Sequence, residues 1–86
     1  MPFRVDVVMP DLELGGDVAR VSLWLVEVGA TVPAGDRLVE IVADGVTVDL
    51  PAPCAGRLVR KFVGEDDPVR AGERLGAIEA DDCPAR

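Results

Sequence analysis

The sequence predicts a small all-β fold, either a sandwich or a flattened barrel, with approximate two-fold internal symmetry. Three observations support this prediction. A stretch of the first half is repeated in the second half, short segments alternate apolar and polar residues as strands do, and an Asp-Gly pair separates two such segments. The 86 residues suffice for one domain with a thin core. Pro and Gly break every long window, so no helix is predicted.

The repeat consists of two windows that begin 37 positions apart, VARVSLWLVEVGATVPAGDRLVEI at Val18 and AGRLVRKFVGEDDPVRAGERLGAI at Ala55. The windows align without a gap. Matching positions include Arg20 with Arg57, Val26 with Val63, Val32 with Val69, Ala34-Gly35 with Ala71-Gly72 and Ile41 with Ile78. One unit therefore occurs twice, and the two copies are expected to fold alike.

Strands are expected at or near residues 5–9, 18–25, 38–43, 46–50, 57–62 and 74–79. Valine is abundant, and its branched Cβ favours strands. Trp24 is the largest apolar side chain of the repeat, and we expect it to be partly buried, with Leu23 or Leu25 pointing into the core. The domain is expected to span residues 1–80, and the polar residues 81–86 to form a frayed, flexible tail.

The net charge of −7 limits the partners that the chain can have. Nucleic acids and anionic membranes are bound by clustered Lys and Arg, so neither is expected as a partner. The acidic surface keeps a small domain in solution and could steer it toward a basic partner. No segment has the apolar length of a membrane span.

The sequence contains neither His nor Tyr, so no Cys-His, Ser-His or His-metal constellation exists in it. The chain is therefore not expected to be an enzyme in its own right. The acidic run Glu65-Asp66-Asp67 could bind a cation, but it falls in a turn of the second unit, and a solvated loop is the interpretation we favour. No metal site is predicted.

The two cysteines, Cys54 and Cys83, lack metal-ligand spacing. The N-terminus lacks the apolar run of a signal peptide, so a cytoplasmic location with reduced thiols is expected. Cys54 is expected to be a small core hydrophobe rather than half of a disulfide, because Cys83 lies in the tail.

Between the two units lies VADGVTV, residues 42–48. An Asp-Gly pair flanked by alternating β-branched residues is the strongest short signal for a β-hairpin. Glycine supplies the positive φ that such a tight turn needs. Asp44 and Gly45 are therefore expected at a hairpin tip, a structural role that is complete without any function.

The stretch DGVTVDLPAPCAG, residues 44–56, resembles the lipoyl-domain pattern Asp-Lys-Ala-x-x-Glu-hydrophobic-Pro-Ser/Ala-Pro-x-x-Gly. MPDL at residues 9–12 is similar to the opening Met-Pro-x-Leu of that family. WLV at 24–26 and GATV at 29–32 are similar to its Trp-Leu-x-x-x-Gly-Asp-x-Val. Biotin carriers usually have Ala-Met-Lys-Met at the hairpin, and no Met flanks Gly45, so the lipoyl domains are the favoured relatives.

The resemblance implies a lipoyl/biotinyl carrier fold of two four-stranded sheets. It also implies a lipoate arm on a lysine at the hairpin tip, in a 2-oxoacid dehydrogenase-type complex. In this chain Gly45 stands at the position of that lysine, beside Asp44, and glycine has no amine to acylate. No cofactor is therefore expected. Lys61 is the only lysine, and it lies in a predicted strand of the second unit, at the position that matches Trp24.

Three interpretations follow. The chain is a lipoyl-like domain that serves as a non-catalytic binding or structural module. Alternatively, it is a lipoate carrier domain of a dehydrogenase-type complex whose attachment lysine has been lost or mutated. The third interpretation is an unrelated small β domain, such as an adaptor module. A protein partner is expected, and a dehydrogenase-complex subunit is one candidate.

Overall fold

The computed structural model describes residues 2–12, 18–81 and 83. The strands within them are β1 (Phe3–Val8), β2 (Ala19–Trp24), β3 (Thr31–Val32), β4 (Arg37–Ala43), β5 (Val46–Pro51), β6 (Gly56–Lys61), β7 (Pro68–Val69) and β8 (Arg74–Ala80). They form two antiparallel four-stranded sheets. Sheet A has the order β1-β8-β6-β3, and sheet B has the order β5-β4-β2-β7. The predicted all-β fold class is confirmed. Within the described ranges, no helix is long and apolar enough to cross a membrane.

Corresponding strands of the two sheets pair in the same register. Arg20 of β2 pairs with Val42 of β4, and Arg57 of β6 pairs with Glu79 of β8, so each residue of the second pair follows its counterpart by the 37 positions of the repeat. The hairpin β4–β5 corresponds to the pair β8–β1. The tip of the β4–β5 hairpin in sheet B is therefore equivalent to the place in sheet A where β1 begins and β8 ends.

β2 and β6 each contain a register irregularity, and it falls at matching positions. In β2 it lies between Val21 and Leu23, and a bulge of this kind shifts the inward-outward alternation by one residue. Val21 is fully buried, and Trp24 is half-buried, which confirms the expectation for Trp24. The expectation that Leu23 or Leu25 points into the core is wrong, because their side chains are 37% and 41% exposed.

The core between the sheets is aliphatic. Its buried side chains include matching pairs from the two units: Val21 with Leu58, Val32 with Val69, Leu38 with Leu75 and Ile41 with Ile78. Among the described residues, no polar or charged side chain is buried. Burial of aliphatic surface is therefore the main stabilising contribution to this domain.

The structure corrects the expectation of free thiols. Cys54 is fully buried, as expected of a core residue, but it forms a disulfide with Cys83, with the two Cα atoms 5.2 Å apart. The reason is that the chain beyond β8 passes the β5–β6 connection, where Cys83 reaches Cys54. Reduced thiols were expected together with a cytoplasmic location, and the bond contradicts the expectation about the thiols. Residues 82 and 84–86 of the expected tail lie outside the described residues.

Candidate functional site

The hairpin between β4 and β5 has the tightest possible tip. Ala43 pairs with Val46, so that only Asp44 and Gly45 form the loop. Their φ angles are 50° and 74°, both positive, as a type I′ turn requires. The β-branched residues on either side build the strands, and Asp-Gly is a favoured pair for this turn. The predicted hairpin is confirmed.

The tip is open to solvent. Asp44, Gly45 and Val46 are all exposed, and Val46 is 61% exposed. A Cβ atom built on Gly45 would meet no other atom within 4 Å. Sterically, a long side chain could therefore project from this position, and only its positive φ would oppose one.

A shallow apolar depression of about 200 Å³ lies beside the tip. Its walls are formed by Leu12, Ile41, Ala43, Val46 and Val48. Ile41 and Ala43 come from β4, and Val46 and Val48 come from β5, so the alternation of the hairpin directs all four to one side. The tip thus combines an acidic residue, a glycine and an adjoining apolar surface.

The only lysine lies away from this tip. Lys61 ends β6 in sheet A, where it pairs with Gly76. Its Nζ lies 5.3 Å from the centroid of the Trp24 ring, a cation–π distance. The indole Nε1–H of Trp24 donates a hydrogen bond to the carbonyl oxygen of Val63, at 2.9 Å. The structure does not bring Lys61 to the hairpin of Asp44 and Gly45.

The acidic run 65–67 forms part of a turn. The Asp67 carboxylate accepts a hydrogen bond from the backbone N–H of Gly64, at 2.7 Å, and Asp66 has a φ of 69°. The Arg20 guanidinium donates to the backbone oxygen of Asp66. In the part of the chain that the structure describes, no three His, Cys, Asp or Glu side chains are grouped as metal ligands.

A family model described as "Biotin-requiring enzyme", which covers biotin- and lipoyl-attachment domains, matches residues 5–78. The chain belongs to this biotinyl/lipoyl domain family. The match spans most of the chain, so the family assignment concerns the whole fold and not the hairpin alone.

The individual proteins to which this biotinyl/lipoyl domain is similar include dihydrolipoyllysine-residue acyltransferases of dehydrogenase complexes. The acetyltransferase component of the pyruvate dehydrogenase complex of Corynebacterium glutamicum is 36% identical over 83 residues. The succinyltransferase component of the 2-oxoglutarate dehydrogenase complex of Bartonella vinsonii is 36% identical over 75 residues. These matches cover 93% and 87% of this chain, but only 12% and 18% of the two proteins.

The fold agrees with a solved lipoyl domain. The solution structure of the lipoyl domain of the 2-oxoglutarate dehydrogenase complex from Azotobacter vinelandii superimposes with a TM-score of 0.70, at 26% identity. The superposition covers 86% of this chain and 94% of that domain. The two four-stranded sheets described above are therefore the lipoyl-domain fold.

One feature of the surface escaped the sequence reasoning. Arg60 and Arg74 both lie against the ring of Phe62. The two arginines are 14 positions apart in sequence, and only the pairing of β6 with β8 brings them together. Placing the charged residues on paired strands would have shown that the two arginines lie close together.

Proposed function

We propose that this chain is a lipoyl-type domain without a lipoyl-lysine, and that it acts as a non-catalytic binding or structural module. The observation that carries the proposal is the identity and geometry of the hairpin tip. A lipoyl arm requires an amine at that tip, and Gly45 stands there with a φ of 74° and no side chain. The residues present do not fit the cofactor, so no acyl-transfer step is assigned to this domain.

Lys61 does not replace the missing amine in this proposal. It lies in β6 rather than in a turn, it is half-buried, and its ammonium group lies over the Trp24 ring. A ligase that modifies lysine at an exposed hairpin tip would have to open the end of β6 to reach it. The β6–β8 pairing at Gly76 opposes that opening.

A second candidate function is a lipoate carrier domain of a 2-oxoacid dehydrogenase-type complex whose attachment lysine has been lost. The intact hairpin favours it, because Asp44, Asp49 and Pro51 occupy the places that the lipoyl pattern gives to aspartate, an acidic residue and proline. Under this proposal the partner is a subunit of such a complex, as for the acyltransferase components to which the chain is similar. The surface around the tip would then still be recognised by that partner.

The test is the intact mass of the protein after coexpression with an active lipoate ligase and an excess of lipoate. The parent chain is expected to retain its unmodified mass. The matched control is Lys61→Arg, which keeps the charge and removes the only lysine, and its mass is expected to show no adduct either. A lipoyl adduct on the parent that disappears in Lys61→Arg would contradict the proposal.

A further inference from the structure

The outer side of sheet A carries an unusual share of the positive charge. Within the described residues, its exposed arginines are Arg4 on β1, Arg57 and Arg60 on β6, and Arg74 on β8. Two carboxylates of the strands, Asp6 and Glu79, lie among them, and Asp81, just after β8, lines one depression together with Arg57 and Glu79. This group, which we call the arginine face, has four positive and three negative charges on a chain whose net charge is −7.

The strand register shows that these residues form rows across the sheet. Arg4 pairs with Glu79, which in turn pairs with Arg57, so the three lie side by side. The Arg57 guanidinium and the Glu79 carboxylate are 3.6 Å apart. In the next row along the same face, Asp6 pairs with Ala77, and Ala77 pairs with Arg60. The arginine face is thus one continuous surface of three adjacent strands.

At one end of the arginine face, two guanidinium groups share one aromatic ring. The Cζ atoms of Arg60 and Arg74 lie 5.4 Å and 5.3 Å from the centroid of Phe62, which is 41% exposed. Among the described residues, no carboxylate lies within salt-bridge distance of either guanidinium. Two like charges held at one ring raise the local positive potential, and a bound carboxylate would lower it.

The corresponding face of sheet B lacks this arrangement. The positions that match Arg60 and Phe62 are occupied by Leu23 and Leu25. The position that matches Arg74 is Arg37, whose guanidinium is 3.3 Å from the Asp49 carboxylate. The two faces share one backbone geometry and differ in charge, so the arginine face does not follow from the fold itself.

We propose that the arginine face binds an extended acidic segment of a partner protein, with carboxylates at Arg60 and Arg74 and an apolar side chain on Phe62. Arginine binds carboxylates through two parallel hydrogen bonds, and a flanking ring holds the guanidinium plane in place. A short peptide contacts only this face. A long polyphosphate or an anionic bilayer would also meet the acidic remainder of the chain and be repelled.

This surface is separate from the hairpin tip, which belongs to sheet B. The inference rests on the proposed binding-module function, because such a module needs a surface that contacts its partner. Failure of the peptide to bind would leave the unmodified mass of the parent chain unaffected. The two proposals can therefore fail independently.

The probe is a fluorescein-labelled peptide in which Glu and Leu alternate, and binding is followed by fluorescence anisotropy at physiological ionic strength. The test variant is Arg60→Ala/Arg74→Ala, and the matched control is Arg20→Ala/Arg37→Ala. Both variants lose two positive charges, from sheet A and sheet B respectively. We expect the test variant to weaken binding about tenfold and the control to change it less than about twofold.

Circular dichroism and thermal melting establish that both variants fold. A companion peptide in which Gln replaces Glu is expected not to bind, and binding of the Glu peptide is expected to weaken with added salt. The proposal is overturned if the parent does not bind the Glu peptide or if both variants lose affinity equally. Tighter binding of single-stranded DNA or of phosphatidylserine vesicles would also overturn it.

Discussion

Lys61 lies over the ring of Trp24, with its Nζ atom 5.3 Å from the ring centroid, although the two residues hold matching positions in the two halves of the repeat. Residues related by a two-fold axis can touch only beside that axis, so this contact marks where the two halves meet. The ring also lies near Gly76, where an added Cβ would come within 3.0 Å of the Trp24 Cη2 atom. The Trp24 indole, the Lys61 ammonium group and Gly76 therefore meet beside this axis.

Truncating Trp24 is expected to destabilise the domain strongly. Trp24→Ala removes the packing against Gly76, the hydrogen bond to Val63 and the contact with Lys61, and we expect a loss of about 3 kcal/mol in the free energy of unfolding. Urea denaturation measures it. Leu23→Ala in the same strand is the control, with an expected loss under about 1 kcal/mol because Leu23 is exposed. Equal losses would show that the inward register of β2 is wrong.

The disulfide is expected to contribute substantially to stability. It closes a loop of 29 residues between Cys54 and Cys83, and the chain-entropy relation assigns such a loop about 3.5 kcal/mol. Reduction or Cys83→Ala should lower the free energy of unfolding by about that amount. Mass spectrometry of the alkylated, unreduced protein should find no modified thiol. Rapid alkylation of Cys54 in the native, unreduced protein would contradict the bond.

Gly45 and Gly56 are required for different reasons, and substitution should distinguish them. In Gly45→Ala the new Cβ would lie in open space, and only the positive φ of the backbone disfavours it. We therefore expect the free energy of unfolding to fall by about 1 kcal/mol. In Gly56→Ala the new Cβ would clash with the Glu79 carbonyl oxygen and with Cγ2 of Ile78. We expect this clash to lower the free energy of unfolding by about 3 kcal/mol. Chemical denaturation of the two variants measures both values. The reverse order of losses would refute the packing described for β6 on β8.

The strands and the hairpin could be predicted from the sequence because their signals are local. The alternation around residues 38–50 and the Asp44-Gly45 pair determine one hairpin without reference to the rest of the chain. The bulge beside Val21 could not be predicted, because Ser22 has no property that marks a bulge. The burial of Trp24 in place of Leu23 follows from that irregularity alone.

The long-range features of the structure could not be predicted from local sequence signals. The pairing of Cys54 with Cys83 depends on the path of the chain beyond β8, and composition says nothing about that path. The arginine face depends on which residues of β1, β6 and β8 lie side by side. The net charge of −7, taken alone, favours a basic partner, because a sum over the chain conceals a local positive surface.

The central claim is that the hairpin tip has the place of a lipoyl attachment site and lacks only the amine. The most direct measurement is the intact mass of Gly45→Lys after coexpression with lipoate ligase and lipoate, with Gly45→Lys/Lys61→Arg as the control that isolates the tip. The account predicts one lipoyl adduct on both variants, and a loss of about 1 kcal/mol in stability from the positive φ at this position. A folded Gly45→Lys protein that stays unmodified with excess ligase would contradict the account.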